Sequence, residues 1–176
     1  MKTKSLLLLI FTMIILISCN NADNNKVLEN MILNYDSLLV QSAVNITPDV
    51  QVAHLKEWVI DEKASKDKED MLFFQNSNQA GMITAKVYND GKVNDYLQEI
   101  IPTFAGKELI SESKFTFENK VYHQFMIRSE GYIVLKVIVE INDKEYLDTN
   151  FLVIENKYAE ISQMIETYLA SIAILN

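Results

Sequence analysis

Few residues in this 176-residue chain are able to do chemistry, and their spacing narrows the choice further. His54 and His123 are the candidate general bases or metal ligands, because imidazole is the side chain that changes charge near neutral pH unaided. Neither belongs to an H-E-x-x-H or H-x-x-x-H pattern, which would set two imidazoles on one helical face around zinc. His123 alternates with Val121, Phe125 and Ile127, which reads as a hydrogen-bonded histidine at the edge of a core. Ser111 and Lys114 match S-x-x-K, but within a strand an odd separation sends them to opposite faces. There is no G-x-S-x-G elbow, and 4 glycines are too few for a phosphate-cradling loop. The run DEKASKDKED (61–70) lacks the spacing and central glycine of an EF-hand and reads as a solvated loop or helix end. Trp58 and the tyrosines could line a pocket or a partner-binding patch. The residues therefore offer no catalytic set, metal site or cofactor site. Trp58 and His123 remain as ligand or partner contacts, and nothing recommends an enzyme.

Cys19 is the sole cysteine, and its setting assigns it a different chemistry. Lys2 and Lys4 precede an apolar stretch (6–17) interrupted only by Thr12, too short to suit a membrane-spanning helix. Leu16-Ile17-Ser18-Cys19 follows, then the polar Asn20, Asn21, Asp23, Asn24 and Asn25. This order resembles the signal peptide and lipobox of bacterial lipoproteins. The resemblance implies that residues 1–18 are a signal peptide and that Cys19 is the lipid attachment site, its thiol diacylated with palmitate-class chains before cleavage. Two acyl chains suffice for stable anchoring, at about 0.8 kcal/mol per buried methylene. Residues 19–26 are then the lipidated cysteine and a flexible tether. Asn20 stands where many enterobacterial lipoproteins retained at the inner membrane have aspartate, which points to the outer membrane. With one cysteine no disulfide can form within the chain, so stability must come from an ordinary core.

Loss of residues 1–18 removes Lys2 and Lys4 from 16 basic residues, leaving 14 against 24 acidic ones and a net charge of about −10. That balance argues against nucleic-acid binding, which needs basic patches to displace counterions. It equally argues against electrostatic adhesion to anionic lipid, so the membrane must be held through the anchor on Cys19. It fits solubility or a basic protein partner. Residues 27–176, with Pro48 and Pro102 the only prolines and no obvious linker, read as a single domain.

The elements that would position any site are clearest after residue 80. AGMITAKVY (80–88) reads as a strand and NDG (89–91) as a turn; Val93, Tyr96, Leu97, Ile100, Ile101 and Phe104 recur at helical spacing. Segments 109–118, 121–128, 132–141 and 144–154 read as strands joined by short turns, hence an antiparallel meander. In 132–141 both faces carry apolar residues, which predicts cover on both sides. Tyr158, Ile161, Met164, Ile165, Tyr168, Leu169 and Ile172 form the stripe of a C-terminal amphipathic helix. Residues 27–60 are ambiguous, read as a helix leaving the tether and a strand near Trp58. The fold class is α+β: an antiparallel sheet with helices packed against it.

This order of elements, with ENKVYHQFMIR (118–128) and YLDTNFLVIENKYAEISQMIETYLASI (146–172), resembles the PsbP/Mog1/DcrB-like superfamily over residues 70–174. Pro48 and Trp58 stand too far apart to form the P-x-x-W turn with which members often begin. The resemblance implies a binding or assembly role, since members include extrinsic photosystem subunits, a small-GTPase-binding protein and periplasmic lipoproteins. The expectation is a membrane-anchored lipoprotein of the cell envelope with an envelope protein as partner. The alternative is a small-ligand receptor or weakly marked hydrolase with a pocket near Trp58 and His123.

Overall fold

In β8 (Tyr132–Glu140) the residues Ile133, Leu135, Val137 and Val139 are buried on one face, and on the other Ile138 is buried and Val134 and Lys136 are partly so. Alternation along a strand means that such a sequence needs a neighbour on each side and a layer on each face. The computed structural model describes residues 33–66, 71–89 and 91–174, and supplies both. Cys19, the expected signal peptide and the expected tether lie outside the described residues, as do the first residues of the expected domain.

The remaining elements are β1 (Val40–Thr47), β2 (Val50–Leu55), β3 (Trp58–Ile60), α1 (Glu62–Lys66), β4 (Met71–Asn76), β5 (Gly81–Tyr88) and α2 (Val93–Ile100). They continue with β6 (Glu108–Phe117), β7 (Lys120–Ser129), β9 (Tyr146–Ile154), α3 (Tyr158–Ala170) and β10 (Ala173–Ile174). Seven strands form one antiparallel sheet in the order β3-β4-β5-β9-β8-β7-β6, and β1-β2-β10 form a small second sheet. The meander β6-β7-β8-β9 expected from the turns is present, and β5, β4 and β3 extend it beyond β9. The loops Glu118-Asn119 and Glu130-Gly131 have φ of 47° and 62°, and of 50° and 83°. Both central residues are left-handed, as in the two-residue hairpin turns whose twist suits flanking strands.

One face of the large sheet is covered by α3 and the small sheet. Tyr168 meets Phe74 and Phe151 edge-on, with centroids 6.1 and 5.4 Å away. The Tyr122 hydroxyl donates to the Leu169 carbonyl at 3.3 Å. The small sheet is tied on where Ala53 N–H donates to Ser171 Oγ at 2.8 Å. The other face is covered by α2 and the 3-10 turn Ile101–Phe104, through a core of Val93, Ile100, Phe125, Ile127, Ile138 and Tyr146.

The N-terminal third differs from its reading in one respect and refines it in another. Of the helix expected to leave the tether, residues 27–32 lie outside the described residues. From Leu33 the chain is irregular up to a 3-10 turn, Ser37–Leu39, whose Leu38 N–H is capped by Asp36 Oδ1 at 2.9 Å. The segment is pinned to α3 instead of forming an α-helix, with Asp36 N–H donating to Thr167 Oγ1 at 3.3 Å. Residues 50–60 are two strands of different sheets, parted at Glu57 with φ 65°. In the charged run, α1 is capped by Asp61 Oδ1, which accepts from Ala64 N–H at 2.9 Å.

Of the glycines at described positions, Gly81 alone is closely approached. A Cβ there would stand 2.9 Å from the Leu152 carbonyl and 3.5 Å from both Trp58 and Ile161. Gly81→Ala should therefore destabilise the fold by about 1–3 kcal/mol through overpacking. A denaturation midpoint unchanged from wild type would contradict that packing.

Candidate functional site

Trp58 and His123 do not share a pocket. Trp58 is buried on the α3 side of the sheet, where its indole N–H donates to Met164 Sδ at 3.4 Å. His123 is on the α2 side, with β4, β5, β9 and β8 between the two strands. Its Nε2 lies 2.6 Å from Glu140 Oε1, and Lys114 Nζ lies 3.7 Å from that same oxygen. The pairing register explains the separation: Trp58 sits opposite Asn76 in the row facing α3, whereas His123 sits opposite Ile138 in a row facing α2. His54 is structural too, donating through Nε2 to the Trp58 carbonyl at 2.6 Å beside the Phe74 ring. Ser111 and Lys114 point to opposite faces of β6, as the strand period requires. Among the described residues, no three His, Cys, Asp or Glu side chains come together as a metal site. Nor, among them, is any helix long and apolar enough to cross a membrane.

What the fold does assemble is a buried polar knot under α2. Asp148 on β9 and Lys136 on β8 are both nearly enclosed, and Lys136 Nζ donates to Asp148 Oδ1 and Oδ2 at 2.8 and 2.7 Å. Asn150 accepts from Lys136 at 3.1 Å and donates to Asp148 Oδ1 at 3.1 Å. From α2 the Tyr96 hydroxyl donates to Asp148 Oδ2 at 2.5 Å. The Tyr96 ring lies against Tyr146 and Tyr88, at centroid distances of 4.9 and 5.6 Å. Burial first, and then the Asp148 carboxylate, hold the Tyr96 phenol protonated well above the usual tyrosine range. Lys136, Asp148, Asn150 and the Tyr96 hydroxyl are thus matched with one another, and the knot anchors α2 to the sheet.

Beside the knot α2 ends, and its face of the sheet opens. A cleft of about 230 Å³ lies between the 3-10 turn and the sheet, lined by Ile100, Phe104, Lys107, Ile127, Val134 and Lys136 among others. From it a row of mainly apolar residues, interrupted by Gln75, runs across the strands. In directly paired register stand Val59, Gln75, Met82, Leu152, Val134, Ile127 and Leu109. Ile127 is covered, but Val59 is 62 % exposed, Met82 38 % and Leu109 45 %, and Tyr132 nearby on the same face is 42 % exposed. This rigid, partly wetted row is the candidate interaction surface.

Sequence reading missed the knot, although a signal existed. Lys136 interrupts the apolar strand YIVLKVIVEI and Asp148 interrupts YLDTNF. A lone charge at a buried strand position requires an opposite charge nearby. Pairing the two needs the register of β8 with β9, which places Lys136 opposite Asn150, one pleat from Asp148.

Two measurements test this account. Lys136→Met should cost about 3–5 kcal/mol by stranding Asp148, and adding Asp148→Leu should restore part of it; equal or additive losses would contradict the coupling. Tyr122, Tyr158 and Tyr168 are held protonated by burial in the same direction as Tyr96. The folded chain thus keeps protons that the unfolded chain releases above about pH 10. Stability should hold below that pH and fall as pH rises through it, in step with delayed tyrosinate absorbance. Tyrosine ionisation complete near pH 10 in the folded protein would refute it.

No protein-family profile and no curated protein matches the sequence. In structure the chain is similar to cyanobacterial PsbP (CyanoP) from Synechocystis sp. PCC 6803, at a TM-score of 0.51 and 12 % identity, over 80 % of this chain and 90 % of that one. A Bacteroides thetaiotaomicron structure aligns at a TM-score of 0.47 and 14 % identity, over 75 % of this chain and 48 % of that one. With its antiparallel sheet, its two helical covers and this likeness, the chain has a PsbP-like fold.

Proposed function

We propose that this protein is a lipid-anchored, non-catalytic binding or assembly module of the bacterial cell envelope, which holds an envelope protein on the open half of its α2 face. The observation that carries this reading is the mainly apolar row in which Val59, Met82 and Leu109 are exposed. Apolar side chains lined up on a rigid sheet gain free energy when a partner removes them from water. Beside them Lys136, Asp148 and Asn150 are matched with one another. The PsbP-like fold is in keeping with a binding or assembly role.

The partner presents an apolar centre with basic residues around it, complementary to a domain whose net charge is about −10 without residues 1–18. The lipid on Cys19 holds the domain at the membrane, more consistent with the outer than the inner membrane given Asn20, and facing the periplasm or the surface. Confinement there raises the effective concentration of the two proteins without any new contact.

Crosslinking and affinity capture from the native envelope test both halves of this reading. The wild type should recover one protein in near-equal amount. Met82→Glu and Val59→Glu, each on an exposed sheet position, should cut that recovery about tenfold or more, roughly 1.4 kcal/mol per decade. Cys19→Ala should move the protein from the membrane to the soluble fraction. Undiminished recovery by both glutamate variants would overturn the surface, and membrane retention of Cys19→Ala would overturn the anchor.

A further inference from the structure

We propose that two copies of this chain join through the outer edge of β6, antiparallel, with Ser113 on the two-fold axis. This goes beyond the binding role above and does not depend on it. β6 is the last strand of the seven-stranded sheet, and among the described residues no backbone hydrogen bond reaches its outer side. Its hairpin with β7 closes on the two-residue loop Glu118-Asn119, so Phe117 and Lys120 form the first hydrogen-bonded pair. Alternation from there directs the amide and carbonyl of Ser113 and Phe115 to β7, and those of Glu112, Lys114 and Thr116 outward. All three outward residues are exposed.

Only registers that set outward groups against outward groups can form a ladder. With the axis on Glu112 or on Lys114, like charges would face each other. With the axis on Ser113, each Glu112 faces the Lys114 of the other copy, twice, in hydrogen-bonded positions on the α2 side. Opposite charges directly across an antiparallel pair stabilise it, and like charges destabilise it.

Ser113 is compatible with that axis: its small side chain is turned into its own core, 9 % exposed, and at a non-hydrogen-bonded pair the two α-carbons stand about 4.5 Å apart. The bulge between Leu109 and Ser111 ends the straight ladder, and leaves the exposed Leu109 and Ile110 beside the far end of the other copy's β6.

Ser113→Cys in the full chain tests the register. Paired α-carbons about 4.5 Å apart are within disulfide reach. Mild oxidation should give a covalent dimer on non-reducing gels, at a level the wild type does not show. Adding Glu112→Lys should abolish it, and adding Lys114→Glu as well should restore it, since the swapped pair is again complementary. Circular dichroism confirms that each variant is folded. No dimer from folded Ser113→Cys, a dimer indifferent to Glu112→Lys, or crosslinking through Glu112→Cys instead would each overturn the proposal.

Discussion

Asp148 lies on β9, the middle strand of the large sheet, and is 5 % exposed. Removing a carboxylate from water there costs several kcal/mol unless its charge and lone pairs are met. Lys136 meets the charge through both oxygens, Asn150 and Tyr96 each donate one further hydrogen bond, and Tyr96 comes from a different element altogether. The helix that carries Tyr96 is thereby fixed over β8 and β9, and cannot slide to shield the rest of the sheet. One electrostatic debt in the interior thus decides which half of the α2 face is core and which half meets water.

How far the chain can be read without coordinates depends on the range of the interactions involved. The strands of the meander, α2 and α3 were readable because their apolar spacing and turns are local. Cover on both faces of β8 was readable for the same reason, from Ile133, Leu135, Val137 and Val139 against Val134 and Ile138. The extension of the sheet by β5, β4 and β3 was not, because nothing local says that Gly81–Tyr88 pairs with Tyr146–Ile154 across a long separation. β2 was ambiguous because Val52 and Ala53 are adjacent and both buried, which breaks the alternation that identifies a strand. Trp58 and His123 looked like partners only because both are rare, polar-tipped residues. The pleat assigns them to opposite faces.

At 12 % identity to CyanoP, likeness of fold says little about shared side chains. In this chain the fold rests on a pattern: strands apolar on both sides, short left-handed turns between them, and helices placed to cover each face. Many residue choices satisfy that pattern, and a site grafted on it is free to differ. The polar knot and the half-open row are properties of this chain.

The small sheet has a consequence for how the molecule comes into being. β2 is bordered on one side by β1, its neighbour in sequence, and on the other by β10, with Ala173 opposite Gln51 and Ile174 opposite Val50. The early strands therefore cannot be completed until nearly the whole chain is present, and the β5–β9 pairing imposes a similar delay. Topologies with such distant contacts fold slowly, because the loops between partners must be closed before any contact rewards them. A chain of this kind remains threadable while it is being made or moved, and takes its shape late and all at once.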